Sequence, residues 1–267
     1  MILVTGATGT IGRHVVRLLA DRGLPFRAMS RHEQPGGVRA DFADPASLAR
    51  AVAGVDTVFL LTAPPAPTAD HDVALVAAAR AAGVRKIVKL SAVGTGERFA
   101  GATVGAWHLA AEEAVTASGL AWTVLRPSGF ASNLLWHRAA LRAGEPLPNL
   151  AGDARQAVID PRDVAAVAVA ALTDDAHDGR RYDLTGPELL TFADQAAVLE
   201  RVLERPVAVT DLDALDRLPP GTATDVGWAR AGGAAYLTEH VPRVLGRPAG
   251  TFEQWARDHR EAFTAVP

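Results

Sequence analysis

Short apolar runs alternate with longer stretches of helical periodicity from the first residues of the chain. The runs Ile2–Thr5, Phe26–Ser30, Thr57–Thr62, Lys86–Ser91 and Trp122–Arg126 are rich in Val, Ile, Leu or Phe and are bounded by Gly, Pro, Asp or Ser. Buried parallel strands have this character, because both faces of such a sheet are covered. A weaker strand is expected at Val38–Phe42. Between the runs, Ile11–Arg22, Ala46–Ala53, Asp70–Ala82 and Thr103–Ser118 carry apolar residues at helical spacing, and several stop at glycine, as in "DRGLP", "AAGV" and "SGLA". Strand, helix, strand at this rhythm predicts right-handed crossovers and an α/β fold with a doubly wound parallel sheet of Rossmann type.

Beyond about Arg126 the rhythm loosens. Phe130–Arg142 reads as a helix and "GEPLPN" as a loop, while "QAVIDPRDVAAVAVAAL" reads as a strand followed by a helix with Pro161 in its first turn. "GRRYDLTGP" reads as a further strand, and the pattern from Thr191 onward is mainly helical. The expected division is a Rossmann domain over residues 1–150 and a smaller, mainly helical C-terminal lobe over 151–267, with the chain crossing between them. That lobe is expected over the carboxyl edge of the sheet, where such folds bind ligands.

Composition narrows the chemistry. The 267 residues are 49% apolar and 21% charged, with a formal net charge of −3 and no block of like charge. This balance argues against nucleic acid or an anionic membrane as the main partner. There is no cysteine, which excludes disulfides, thiolate chemistry and Cys-based zinc sites. No basic region followed by a long apolar run opens the chain, so a cytoplasmic monomer or homodimer is expected. Lys86 and Lys89 are the only lysines, which removes most candidates for a catalytic lysine.

The stretch "VTGATGTIG" places Gly6, Gly9 and Gly12 between the first strand and the first helix. One glycine permits the turn off the strand, another lets backbone approach a pyrophosphate, and a third permits close helix packing. The helix N-terminus then offers unpaired N–H groups and a positive dipole end to the anion. A ligand-free glycine turn is the alternative reading, and the strand-to-helix position favours the cradle. No Gly-Lys-Ser/Thr follows, so a Walker-type loop is excluded. Residues 1–150 therefore read as an NAD(P)-binding domain.

The second strand ends in "AMSRHE", with Ser30 and Arg31 where NAD-binding folds carry an acidic residue for the ribose. A guanidinium suits a 2′-phosphate, which favours NADP (NADPH) over NAD, and Arg13 is a second candidate contact. Asp41, with Phe42 beside it, stands either to accept from the adenine amino group or to cap a turn.

These residues together resemble the NmrA-like branch of the short-chain dehydrogenase/reductase superfamily. The motifs are "VTGATGTIG", "DFADPASLARAVAGVDTVFLLTAP", "AAGVRKIVKLSAVG", "HLAAEEAVTASGLAWTVLRPSGFASNLL", "IDPRDVAAVA" and "YDLTGPELLTFADQA", in the family's order over nearly the whole chain. The resemblance implies that Gly6, Thr8, Gly9, Thr10, Ile11 and Gly12 hold the pyrophosphate. It implies that Leu61, Thr62 and Ala63 line the adenosine side, and that Pro127, Ser128, Gly129 and Phe130 flank the nicotinamide. Lys89, Leu90 and Ser91 would end the fifth strand beside that ring.

One departure is informative. Ordinary members use Tyr-x-x-x-Lys, yet the only tyrosines here, Tyr182 and Tyr236, are followed four residues on by Gly186 and His240. The family register puts Val104 and His108 at the tyrosine and lysine positions, and His108-x-x-x-Glu112 resembles the quinone-reductase members. His108 and Ser91 are thus the candidate catalytic residues. His108 would serve as ribose anchor, proton donor or both, given an unperturbed pKa of about 6.5, or would only hydrogen-bond the cofactor or a helix neighbour. Asn133 and His137 are candidates for the substrate pocket, and Trp107, Phe130 and Trp136 for an aromatic wall against a flat substrate. His108 and Glu112 lack a third ligand, so no metal site is expected.

Hydride transfer belongs to the cofactor, and the protein positions the substrate. A quinone is already electrophilic and needs little more than a hydrogen-bond donor. The expected activity is therefore NADPH-dependent reduction of a quinone or conjugated aromatic ketone. The alternatives are a non-catalytic NADP(H)-binding sensor or auxiliary protein, or an isomerase, dehydratase or oxygenation step on aromatic metabolites.

Overall fold

The apolar runs become strands close to where the pattern puts them. β1 (Ile2–Val4), β2 (Phe26–Ser30), β3 (Val38–Arg39), β4 (Thr57–Leu60) and β5 (Lys86–Leu90) are interleaved with α1 (Gly12–Asp21), α2 (Pro45–Val52) and α3 (Asp70–Ala81). A hairpin of β6 (Arg98–Phe99) and β7 (Ala102–Thr103) precedes α4 (Ala106–Thr116), and β8 (Ala121–Pro127) follows. Then come α5 (Arg138–Ala143), β9 (Leu147–Asn149), α6 (Pro161–Thr173) and β10 (Arg180–Leu184). The chain ends in α7 (Phe192–Leu203), β11 (Val209–Asp211), α8 (Pro220–Arg230), α9 (His240–Leu245), α10 (Phe252–Asp258) and α11 (Arg260–Thr264). This is a computed structural model, and it describes residues 1–34, 36–64 and 66–264.

Seven strands form one sheet in the order β10-β8-β5-β4-β1-β2-β3. β1 pairs in parallel with β2 and β4, β2 with β3, β4 with β5, and β5 with β8. The order reverses direction at β1, the topological switch of a Rossmann fold, and ligands of such sheets bind outside the carboxyl ends of the strands there.

The chain divides into two units, the first built from Met1–Thr95, Ala106–Arg126 and Val164–Asp183. The first unit's core packs Leu3, Leu48, Val58, Leu60, Leu75, Ile87 and Val115 on one side of the sheet. The second unit takes Gly96–Gly105, Pro127–Asp163 and the chain from Leu184 onward. It has its own core of Leu134, Leu147, Leu199, Phe252, Trp255 and Phe263.

Five local expectations are corrected. The third strand stops at Arg39, because the Asp41 N–H donates to the Ser47 hydroxyl at 3.0 Å and leaves the ladder. The helix expected from Thr103 starts at Ala106. Gly101 and Gly105 adopt left-handed φ of 83° and 56°, and the Gly105 N–H is held by the Asp225 carboxylate at 2.8 Å. Phe130–Arg142 is a 3₁₀ segment, Ala131–His137, followed by α5; the Asn133 N–H closes onto Phe130, three residues back, and tightens the turn. "GEPLPN" contains β9, which pairs in parallel with β11, while "QAVID" makes only isolated bridges at Gln156 and Ile159.

Candidate functional site

The glycine loop is built by two glycines that pack and one that does not. Gly6 turns the chain off β1 with φ 58°, and a Cβ there would lie 2.6 Å from the Leu61 side chain. A Cβ on Gly12 would lie 2.1 Å from the Gly6 carbonyl oxygen, so only glycine lets α1 start this close to the loop. Gly9 meets nothing but that same oxygen, at 3.2 Å, and lies exposed with Thr8 and Thr10. Internal packing explains Gly6 and Gly12. It leaves Gly9 as the place where backbone stands open to an incoming group. Buried Ile11 precedes α1, whose N-terminus has no side-chain cap and no acidic residue in its first turn. Its positive dipole end therefore carries no acidic partner in its first turn, while the Arg13 and His14 N–H groups bond the Gly9 and Ile11 carbonyls at 3.1 and 3.0 Å. Thr5 fastens the loop's base, accepting the Leu61 N–H at 2.8 Å and donating to the Leu61 carbonyl at 2.8 Å.

Arg13, just inside α1, and Arg31, just past β2, are both exposed. The Ser30 hydroxyl accepts the His32 N–H at 3.1 Å, which shapes the turn that carries Arg31. Asp41 is exposed and caps its own turn, accepting the Ala43 N–H at 2.9 Å. Phe42 stacks on His71 with ring centroids 5.1 Å apart and packs against the core. Leu61, Thr62 and Ala63 leave the carboxyl end of β4, and the Thr62 hydroxyl points inward to donate to Asp72 at 2.7 Å.

The carboxyl end of β5 and the first turns of α4 carry the most charge at depth. Ser91 donates to Glu112 at 2.5 Å, and Arg126 grips the same carboxylate through two bonds of 2.9 and 2.7 Å. Glu112 is 1% exposed, with Arg181 a further 3.5 Å away. Lys89 and Asp72 form an ion pair at 3.1 Å with both side chains fully buried. Burial pushes the Lys89 ammonium down, and Asp72 opposes that shift.

Trp107 is half-buried and stacks on His108 with centroids 3.7 Å apart. His108 Nδ1 is buried with no hydrogen-bond partner among the described residues. Burial, then the nearby Lys89 and Arg126 charges, lower this imidazole to about 3, far from the ordinary histidine value assumed from sequence. His108 is therefore neutral at physiological pH. A neutral imidazole still donates one N–H bond, but it is a weak acid.

In the second unit, Pro127 is buried and the Ser128 hydroxyl donates to the Ala157 carbonyl. Gly129 is exposed, and Phe130 bridges to Ile159. Asn133 and His137 are half-buried, whereas the Trp136 indole is 76% exposed.

Sequence reasoning passed over Asp72, which reads only as an acidic residue in a helix's first turn, and the ion pairing of Glu112 with Arg126. Both pairs join residues distant in sequence, and no local pattern marks them. Among the described residues no group of three His, Asp or Glu is placed to share a metal ion, and no helix is long and apolar enough to cross a membrane.

A parallel sheet, a glycine turn at its switch point and an uncapped helix start are the marks of a Rossmann-type dinucleotide-binding fold. Residues 6–175 match the NAD(P)H-binding family, and the chain belongs to that family, with an NmrA-like fold. It is 43% identical over 282 aligned positions to a (4-alkanoyl-5-oxo-2,5-dihydrofuran-3-yl)methyl phosphate reductase of Streptomyces griseus, covering 98% of this chain and 99% of that one. It is 36% identical to an NAD(P)H azoreductase of Xenophilus azovorans over the full length of both. The crystal structure of the NADPH-dependent quinone oxidoreductase QOR2 of Escherichia coli complexed with NADPH superposes with a TM-score of 0.83. It is 26% identical and covers 97% of this chain and 99% of that one. The protein is an NAD(P)H-dependent oxidoreductase.

Proposed function

We propose that this oxidoreductase uses NADPH to reduce a quinone or a similarly electron-poor conjugated π system, such as a conjugated aromatic ketone, without a Tyr-x-x-x-Lys pair. The observation that carries this reading is the neutral His108, in a chain whose two tyrosines have no lysine four residues on. A plain ketone becomes a strongly basic alkoxide on reduction and calls for a good acid. A quinone becomes a delocalised, weakly basic anion that a neutral N–H can stabilise and water can protonate. The names of the relatives agree in kind: a quinone, an azo group and an alkanoyl-oxo-dihydrofuran are all conjugated acceptors.

Gly6, Thr8, Gly9, Thr10, Ile11 and Gly12 are the residues that would hold the pyrophosphate, against the α1 dipole. Arg31, with Arg13 and Ser30, would take the 2′-phosphate. Asp41, Phe42, Leu61, Thr62 and Ala63 would border the adenosine. Bound NADPH supplies the hydride. His108 donates a hydrogen bond to the acceptor oxygen or nitrogen, and the Glu112–Arg126 pair fixes Ser91 at the end of β5. Lys89 is paired with Asp72, both side chains being buried.

Two outcomes follow from this reading. Arg31→Ala is expected to weaken NADPH by about tenfold, the worth of one charge-assisted bond, while leaving NADH unchanged in a fluorescence titration. Equal losses for both would remove Arg31 from the 2′-phosphate site. With a quinone acceptor, kcat is expected to show no ionisation between about pH 5 and 8 and to drop about a hundredfold in His108→Ala. An acid limb centred near the ordinary histidine value, or an unchanged kcat in the variant, would take His108 out of the reaction.

A further inference from the structure

The segment that leaves β4 is held from two sides, all within the first unit. On one side Thr5, just past β1, accepts the Leu61 N–H and donates to the Leu61 carbonyl, both at 2.8 Å. The Leu61 side chain lies so close to the glycine turn that a Cβ on Gly6 would stand 2.6 Å from it. On the other side Thr62, which is 8% exposed, donates its hydroxyl proton to Asp72 at 2.7 Å. Asp72 stands in the first turn of α3, where the helix dipole favours an acidic residue. Its second oxygen faces the Lys89 ammonium at 3.1 Å, with both charged side chains fully buried. Lys89 in turn bonds the Leu90 carbonyl at the end of β5. A buried ion pair contributes little net stability, because desolvating two charges offsets most of their attraction. What it supplies here is a fixed acceptor for Thr62, through a charge-assisted bond of defined direction.

We propose that Asp72 and Lys89 are positioning residues for the cofactor: by fixing Thr62 they hold the Leu61–Ala63 segment in place against the glycine turn, and so shape the wall that NADPH meets beyond β4. The proposal rests on the reading of Leu61–Ala63 as the adenosine border. Neither Asp72 nor Lys89 is exposed, so both act through Thr62 and not by touching the ligand. A carboxylate only accepts, and a hydroxyl has one proton, so Thr62 has no donor left for the cofactor. Its hydroxyl serves the segment's position.

The test compares two uncharged pairs in the full chain. Asp72→Leu/Lys89→Met removes both charges and the acceptor of Thr62. Asp72→Asn/Lys89→Met removes both charges but keeps an amide oxygen for that hydroxyl. Apolar replacement of a buried ion pair is often neutral or stabilising, so both variants are expected to fold with a Tm within about 5 °C of the parent. In fluorescence titration, Asp72→Leu/Lys89→Met is expected to bind NADPH and NADH each about tenfold more weakly, whereas Asp72→Asn/Lys89→Met stays within about threefold of the parent. The Arg31→Ala loss, by contrast, falls on NADPH alone. Thr62→Val, which leaves the ion pair in place, should reproduce the tenfold loss, and Thr62→Ser should recover most of it. Parent-like affinity in Thr62→Val and Asp72→Leu/Lys89→Met overturns the proposal, as does an equal loss in the two uncharged pairs. Adenosine 2′,5′-bisphosphate, a probe for the adenosine half, separates the two readings. A loss for NADPH with none for this probe would sustain the hold on Thr62 and defeat the assignment of Leu61–Ala63 to the adenosine instead.

Discussion

Gly9→Ala is expected to leave folding stability within about 1 kcal/mol of the parent and yet weaken NADPH about tenfold to a hundredfold. A Cβ at Gly9 meets only the Gly6 carbonyl oxygen, at 3.2 Å, so a shift of a few tenths of an ångström accommodates it. The same methyl projects from the exposed side of the loop, where a pyrophosphate has to approach backbone closely. Gly12→Ala is expected to behave differently. Its Cβ would sit 2.1 Å from that oxygen and 2.6 Å from the Gly6 carbonyl carbon, contacts that only displacement of α1 can relieve. A loss of about 3 kcal/mol or more, with cofactor binding lost too, is the outcome. Thermal unfolding and fluorescence titration on the two variants check both halves. A Gly9→Ala protein with full NADPH affinity would mean that the loop is only a turn.

Glu112→Ala is expected to destabilise the protein by about 3–5 kcal/mol, because it removes a buried carboxylate that accepts three hydrogen bonds and pairs with a guanidinium. Glu112 is 1% exposed and accepts from Ser91 once and from Arg126 twice. For a chain of this size the loss corresponds to a fall in Tm of about 10 °C. Glu112→Gln keeps the shape and one acceptor, so it should recover part of the stability. Calorimetry decides the matter: a change under about 1 kcal/mol in Glu112→Ala would show that water replaces the carboxylate at little cost.

The strands of the first unit were legible because a buried parallel strand announces itself as an unbroken apolar run. β2 runs from Phe26 to Ser30 as its pattern indicates, and β4 and β5 stop within two residues of theirs. The pattern fails where backbone conformation or a distant partner decides. β9 contains Pro148, which argues against a strand in sequence but is tolerated in a two-stranded ribbon. α4 starts late because Asp225, 120 positions further on, holds the Gly105 N–H.

The candidate site divides along the same line. Gly6, Gly9 and Gly12 are neighbours in sequence, so their joint role in one turn could be read from spacing. The state of His108 could not. It follows from burial and from Lys89 and Arg126, two cations on different strands that no spacing rule links. Asp72 and Lys89 are 17 positions apart and meet only because α3 packs between consecutive parallel strands.

The most direct test of the central claim is steady-state oxidation of NADPH by the purified protein with matched acceptors: a quinone, an aromatic azo compound, a carbonyl-substituted dihydrofuranone and a saturated aliphatic ketone. The account predicts turnover with at least the quinone and none with the saturated ketone at any pH between about 5 and 8. Efficient reduction of the saturated ketone, or no oxidation with any conjugated acceptor despite tight NADPH binding, would contradict it.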